Sequence, residues 1–130
     1  SYVPALRDGD LVLTSGQLPF VAGALPATGK VGAEVTPERA QELARVCAVN
    51  AVAAVHELLG DLDRVAQVVK VVGFVASDPA FTGQPGVVNG ASDVLAEIFG
   101  EVGRHARSAV GVAVLPMDAP VEVEITVRVR

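Results

Sequence analysis

The chain has 130 residues, 51% hydrophobic but only 4% aromatic and without Trp, a length that supports one domain, spanning residues 1–130, with a core of Val, Ala and Leu. A net charge of −5, with only Lys30 and Lys70 beside eight arginines, argues against a nucleic-acid binder, which needs a basic footprint, and against an acidic membrane surface. The single Cys47 rules out an internal disulfide and a thiolate metal cluster, and it accords with a reducing, cytoplasmic setting.

Residues 11–18, LVLTSGQL, read as a strand. No signal peptide is visible, and no apolar run is long enough to span a membrane. The first residue is Ser rather than Met, which leaves room for a missing leader segment. From Pro19 to Gly32, glycines and prolines between short apolar pieces predict an irregular hairpin. Thr36 as N-cap, Pro37 at the first helical position and Glu38 in the first turn start a helix that Gly60 ends. After residue 45 that helix is apolar nearly all round, which predicts burial on more than one side. Within it, Asn50 is expected to bond a neighbouring element, Cys47 to be a core residue and His56 a boundary residue.

Residues 64–77 form a long β-branched strand, DPAFTGQPG a loop, and Val87–Phe99 a second helix that stops at Gly100. Residues 106–115 read as a strand, PMDAP as a tight turn, and VEVEITVRVR as a half-exposed strand with strict alternation. Strands separated by single helices and closed by a hairpin predict an α+β fold, a sheet covered on one face by helices. The other face keeps apolar residues, so a homo-oligomer is expected.

Two residues stand out for chemistry. Arg107 opens a strand face that continues with Ala109, Gly111 and Ala113, small side chains that predict room for a ligand. Its guanidinium can grip a carboxylate with two parallel hydrogen bonds. Glu122 begins the polar face of the last strand. The tight PMDAP turn is expected to pair Glu122 near Val114, which puts Arg107 and Glu122 roughly 23 Å apart in one chain, able to meet only across a subunit boundary. For each, a solvated strand residue is the plainer alternative. His105 has no evident Ser or Cys partner in the sequence and reads as structural or rim-lining. GQPGVVNGASD lacks phosphate-loop spacing and its Lys, which rejects a nucleotide site there.

Four stretches, YVPALRDGDLVLTSGQLP, LGDLDRVAQVVKVVGFVAS, VVNGASDVL and HARSAVGVAVLPMDAPVEVEI, resemble the Rid family, the reactive intermediate deaminases or YjgF-like proteins. The wording of residues 89–112 is most similar to a less-studied bacterial branch. Older names for such proteins are L-PSP endoribonuclease and translation inhibitor. The resemblance implies a chorismate-mutase-like fold, a mixed sheet with two helices packed on one face, assembled as a homotrimer with three intersubunit clefts. It implies Arg107 as the carboxylate anchor and Glu122 as the water-orienting residue. Tyr2, Ser15, Gly16, Asn89 and Ala109 would line the cleft, Ala109 standing where the family has a cysteine. Gly111 replaces a bulkier polar residue, and Arg104 and His105 alter the rim. The implied activity is hydrolysis of small 2-imino or enamine acids to 2-keto acids and ammonia, without metal or organic cofactor. The alternatives are a small-carboxylate binding or sensing protein, an endoribonuclease, and a trimeric structural domain.

Overall fold

The computed structural model describes residues 1–130. The elements in chain order are β1 (Ala5–Asp8), β2 (Leu11–Thr14), α1 (Pro37–Leu59), β3 (Val65–Ala76), α2 (Gln84–Phe99), β4 (Ala106–Val112) and β5 (Val121–Val129). The strands form one mixed sheet in the order β1-β2-β5-β3-β4. Only β3 and β4 are parallel; the other neighbours are antiparallel. Both helices pack on one face of this sheet, the chorismate-mutase-like arrangement.

Local chemistry explains the helices. The Thr36 side chain accepts from the Arg39 N–H, Pro37 opens α1, and Gly60 closes it at φ 80°, a left-handed conformation that favours glycine. α1 buries Ala40, Ala44, Ala48 and Ala51 beside Leu43 and Cys47. Small residues there let α2 come close: a Cβ on Gly90 would lie 2.0 Å from the Gln41 carbonyl oxygen. As expected, α1 is buried on more than one side, against α2 and against β5, while Val49 and Leu58 stay exposed on its outer side. Asn50 does bond a neighbouring element, donating to the Leu18 and Phe20 carbonyls and so pinning the loop after β2. His56 is exposed in the last turn of α1, and Cys47 is buried, with burial pushing its thiol far up.

The expected final hairpin is absent. β4 pairs with β3, and β5 inserts between β2 and β3, so β3 separates the two strands that PMDAP connects. The Ser77 N–H donates to Val112 and the Ala76 N–H to Pro120, which places the 113–120 connection over the end of β3. Met117 and Asp118 carry that crossing at φ 59° and 56°. β5 belongs in the sheet centre because Val121, Val123, Ile125, Val127 and Val129 are all buried under the helices.

The opposite face of the sheet has no helix. Leu6, Leu13 and Val110 are 59%, 42% and 42% exposed there. Register places Leu6 beside Leu13, Leu13 beside Thr126, and Phe74 between Glu122 and Val110.

Candidate active site

The singled-out residues fall into two groups. Arg107 sits on the edge strand β4, in register with Val71 and, across β3, with the buried Ile125. It therefore points toward the helices. Its guanidinium Nη1 donates to Asn89 Oδ1 at 2.8 Å and to Ser92 Oγ at 3.2 Å, and Nη2 donates to the Pro85 carbonyl at 3.3 Å. Pro85, Asn89 and Ser92 follow the i, i+4, i+7 spacing of one helix face, so α2 offers all three acceptors together. No carboxylate of the chain pairs with Arg107; the ion pairs are Lys30–Asp118, Arg39–Glu42 and Arg45–Glu97. Of its five N–H groups, Nε–H and one on Nη2 have no partner.

The room expected beside Arg107 is taken by the helix. The Cβ position of Gly73 meets the Val88 side chain, and that of Gly111 meets Gln84 and Ser77. Ala109 packs half-buried against the core. The small residues of this face seat α2 on the sheet rather than opening a pocket.

Glu122 lies on the other face. Its neighbour across the ladder is Phe74, three residues beyond Val71 on β3. By strand spacings its Cα is about 14 Å from that of Arg107. With the hairpin absent, the separation is shorter than the sequence predicts, yet the sheet itself stands between the two side chains.

A bulge shapes the surroundings of Glu122. Leu13 pairs with Thr126 and Gln17 with Val123, so the 13–17 segment holds one residue more than the strand opposite. The irregularity brings the Gly16 backbone onto the Glu122 carboxylate: a Cβ on Gly16 would lie 2.1 Å from Oε2. Ser15 donates through Oγ to the Val3 carbonyl at 2.6 Å and through its N–H to Pro4 at 2.8 Å, tethering the segment that carries the exposed Tyr2. No group of the chain hydrogen-bonds the half-buried Glu122 carboxylate. Burial pushes its carboxyl up from the ordinary range, and Glu124, on the same face, adds to the effect.

Sequence reasoning missed the partner of His105. Ser92 Oγ lies 2.8 Å from His105 Nε2, and His105 Nδ1 lies 2.6 Å from the Gly103 carbonyl oxygen. The available signal was helical: Ser92 falls three residues after Asn89, on the face that meets Arg107. Also missed was Gln67, whose side-chain amide donates to Val102 and Arg104 and ties that turn to β3.

Three of the concavities on the chain lie elsewhere. The largest of these three, 320 Å³, is lined by residues including Phe20, Asn50 and Ala54, and none of the three is lined by Arg107 or Glu122. No three His, Cys, Asp or Glu side chains converge on a metal-sized site, and no helix is long and apolar enough to cross a membrane.

Two helices packed on one face of a five-stranded mixed sheet make the fold of a YjgF-like protein. The family described as "YjgF/chorismate mutase-like, putative endoribonuclease" matches residues 1–127, and the chain belongs to it. It is similar to protein TCP17 of Trypanosoma cruzi, 49% identical across the whole chain and 82% of that protein. The resemblance is thus not confined to bacteria. A crystal structure of Atu1372 from Agrobacterium tumefaciens, a protein of unknown function, superposes with a TM-score of 0.97 at 48% identity, over 99% of this chain and 82% of that one. TdcF from E. coli with bound serine superposes with a TM-score of 0.68 at 25% identity, over 100% and 88% of the two chains.

Proposed function

We propose that the protein hydrolyses small 2-imino or enamine acids to 2-keto acids and ammonia, in clefts formed between the subunits of a homotrimer. The observation that carries this reading is the Arg107 guanidinium. α2 holds it through neutral acceptors, it has no carboxylate of its own, and it keeps N–H groups for one. A charge-assisted hydrogen bond to such an anchor contributes about 1.5–3 kcal/mol. Glu122 supplies the other half. A carboxylate raised toward neutral pH and free of hydrogen bonds is suited to general base work.

The reaction then balances without a covalent nucleophile. Glu122 takes a proton from water as the water oxygen bonds to the protonated imine carbon. The tetrahedral carbinolamine receives that proton on nitrogen, the C–N bond breaks, and the C=O bond forms as the carbinolamine hydroxyl gives its own proton back to Glu122, which passes it to the departing ammonia. Since Arg107 and Glu122 sit on opposite faces of one sheet, the reading requires the Arg107 edge of one copy to meet the Glu122 face of another. The exposed Leu6, Leu13 and Val110 on that face favour such packing. A cytoplasmic location accords with the buried, unpaired Cys47.

A second reading has one observation in its favour. TdcF was crystallised with serine, a small carboxylate that the related fold binds. The same cleft here would then bind a keto acid or similar carboxylate without turnover. RNA cleavage, which the family description also mentions, is disfavoured by the net charge of −5 and by the scarcity of aromatic stacking platforms.

The test is ammonia and keto-acid release from freshly generated 2-aminoacrylate or 2-iminobutyrate, with Arg107→Ala as control. The expected result is acceleration over buffer that the variant loses, about 10–100-fold in kcat/KM. Absence of acceleration by the unmodified chain overturns the deaminase reading on these substrates. Retained 2-oxobutyrate binding would then support the second reading. Light scattering during size exclusion tests the trimer; a monomer at micromolar concentration overturns the shared cleft.

A further inference from the structure

We infer that Ser92 and His105 are positioning residues for Arg107, linked in a one-directional hydrogen-bond relay that starts at the guanidinium and ends at the Gly103 carbonyl. For the neutral imidazole the two ends fix every donor. A guanidinium only donates and a carbonyl oxygen only accepts. Ser92 Oγ therefore accepts from Arg107 Nη1, and His105 donates from Nδ1 to Gly103. With its proton on Nδ1, the neutral imidazole presents a lone pair at Nε2, and the Ser92 hydroxyl donates to it. Each hydroxyl and ring nitrogen then has one defined role.

The surroundings make the relay rigid at its far end. Gly103 is buried against the last turn of α2, where a Cβ would lie 2.5 Å from the Leu95 carbonyl oxygen. Gln67 holds the carbonyls of Val102 and Arg104 on either side. A serine within a helix ordinarily turns its hydroxyl to the carbonyl one turn back. Ser92 instead points off the helix to His105. Without its oxygen, the guanidinium would keep only the exposed Asn89 on Nη1 and the longer 3.3 Å bond from Nη2 to the Pro85 carbonyl. The guanidinium would then swing about its stem, and a carboxylate would lose its fixed fork. The part of the inference that concerns ligand rests on reading Arg107 as a carboxylate anchor; the relay itself does not.

Two measurements separate the parts. Long-range 15N spectra of the ligand-free protein read the His105 tautomer, and 15N relaxation reads the order of Arg107 Nε–H. The Nδ1–H tautomer is expected, with Nε–H order that falls in Ser92→Ala and His105→Phe and is kept in Ser92→Thr. An Nε2–H tautomer, or undiminished order in Ser92→Ala, overturns the relay. The second measurement is 2-oxobutyrate affinity by calorimetry. Kd is expected to rise about tenfold in Ser92→Ala and to recover in Ser92→Thr. With substrate turned over, KM should rise by the same factor while kcat holds, the mark of uniform binding lost. An unchanged Kd in Ser92→Ala overturns the positioning role. If the unmodified chain binds no 2-oxobutyrate, the carboxylate reading fails while the spectra still decide the relay.

Discussion

The two halves of the site are built on opposite principles. Arg107 is braced: three acceptors from one helix face hold it, and one of them is itself held by His105. Glu122 is left alone: no donor touches its carboxylate, burial disfavours its charge, and a glycine bulge gives its oxygens space. A group that must hold a substrate gains from fixed geometry. A group that must take up and return a proton gains from a pKa near the working pH and from freedom to exchange partners. The contrast separates binding from chemistry, and single substitutions should split along the same line.

The largest effect is expected at Glu122. Glu122→Gln keeps shape and removes the base, so kcat for 2-iminobutyrate hydrolysis should fall about 10²–10⁴-fold with KM little changed. A rise in KM at constant kcat would instead make Glu122 a binding group and erase the contrast. Gly16→Ala comes next. The added Cβ meets the far end of a flexible side chain, not backbone, so the fold should persist while the carboxylate turns aside. Steady-state kinetics should show kcat reduced about tenfold to a hundredfold, with the melting temperature close to that of the unmodified chain. Full activity in Gly16→Ala would mean that the carboxylate works from a position this glycine does not govern.

What could be read from the sequence was local or periodic. The Thr36 and Gly60 caps, the β-branched run of β3 and the alternation of β5 each carry their signal within a few residues. Strand pairing does not. PMDAP looks like a hairpin turn, but β4 gains more by lying parallel to β3 under α2, and β5 by burying five branched side chains in the sheet centre. The same limit applied to Arg107. Its small neighbours Ala109 and Gly111 predicted space, whereas the helix that fills the space, seated on Gly73, comes from distant sequence. His105 lacked a partner for the same reason: Ser92 reaches it only once α2 lies along β4.

The smallest effect concerns stability, and its sign tests the isolation of Glu122. Burial, with Glu124 adding to it, raises the folded carboxyl above its ordinary value of 4.5. Well below that value, at roughly pH 3, folded and unfolded chains are both protonated and the residue makes no difference. As pH rises from 4.5 through the raised folded value, the unfolded chain gives up its proton first. The folded state then binds more protons than the unfolded, so stability falls across that window and stays lower above it. Glu122→Gln removes this loss. Urea unfolding at fixed protein concentration should find the variant equal to the unmodified chain near the bottom of the range and slightly more stable at pH 7. The half-exposed carboxylate is partly screened by water, so the gain is small. The opposite order at pH 7 would require a cation against Glu122 that its own chain does not supply. The natural source would be the Arg107 edge of a second copy, and the assembled protein would then pair the two halves that a single chain keeps on opposite faces.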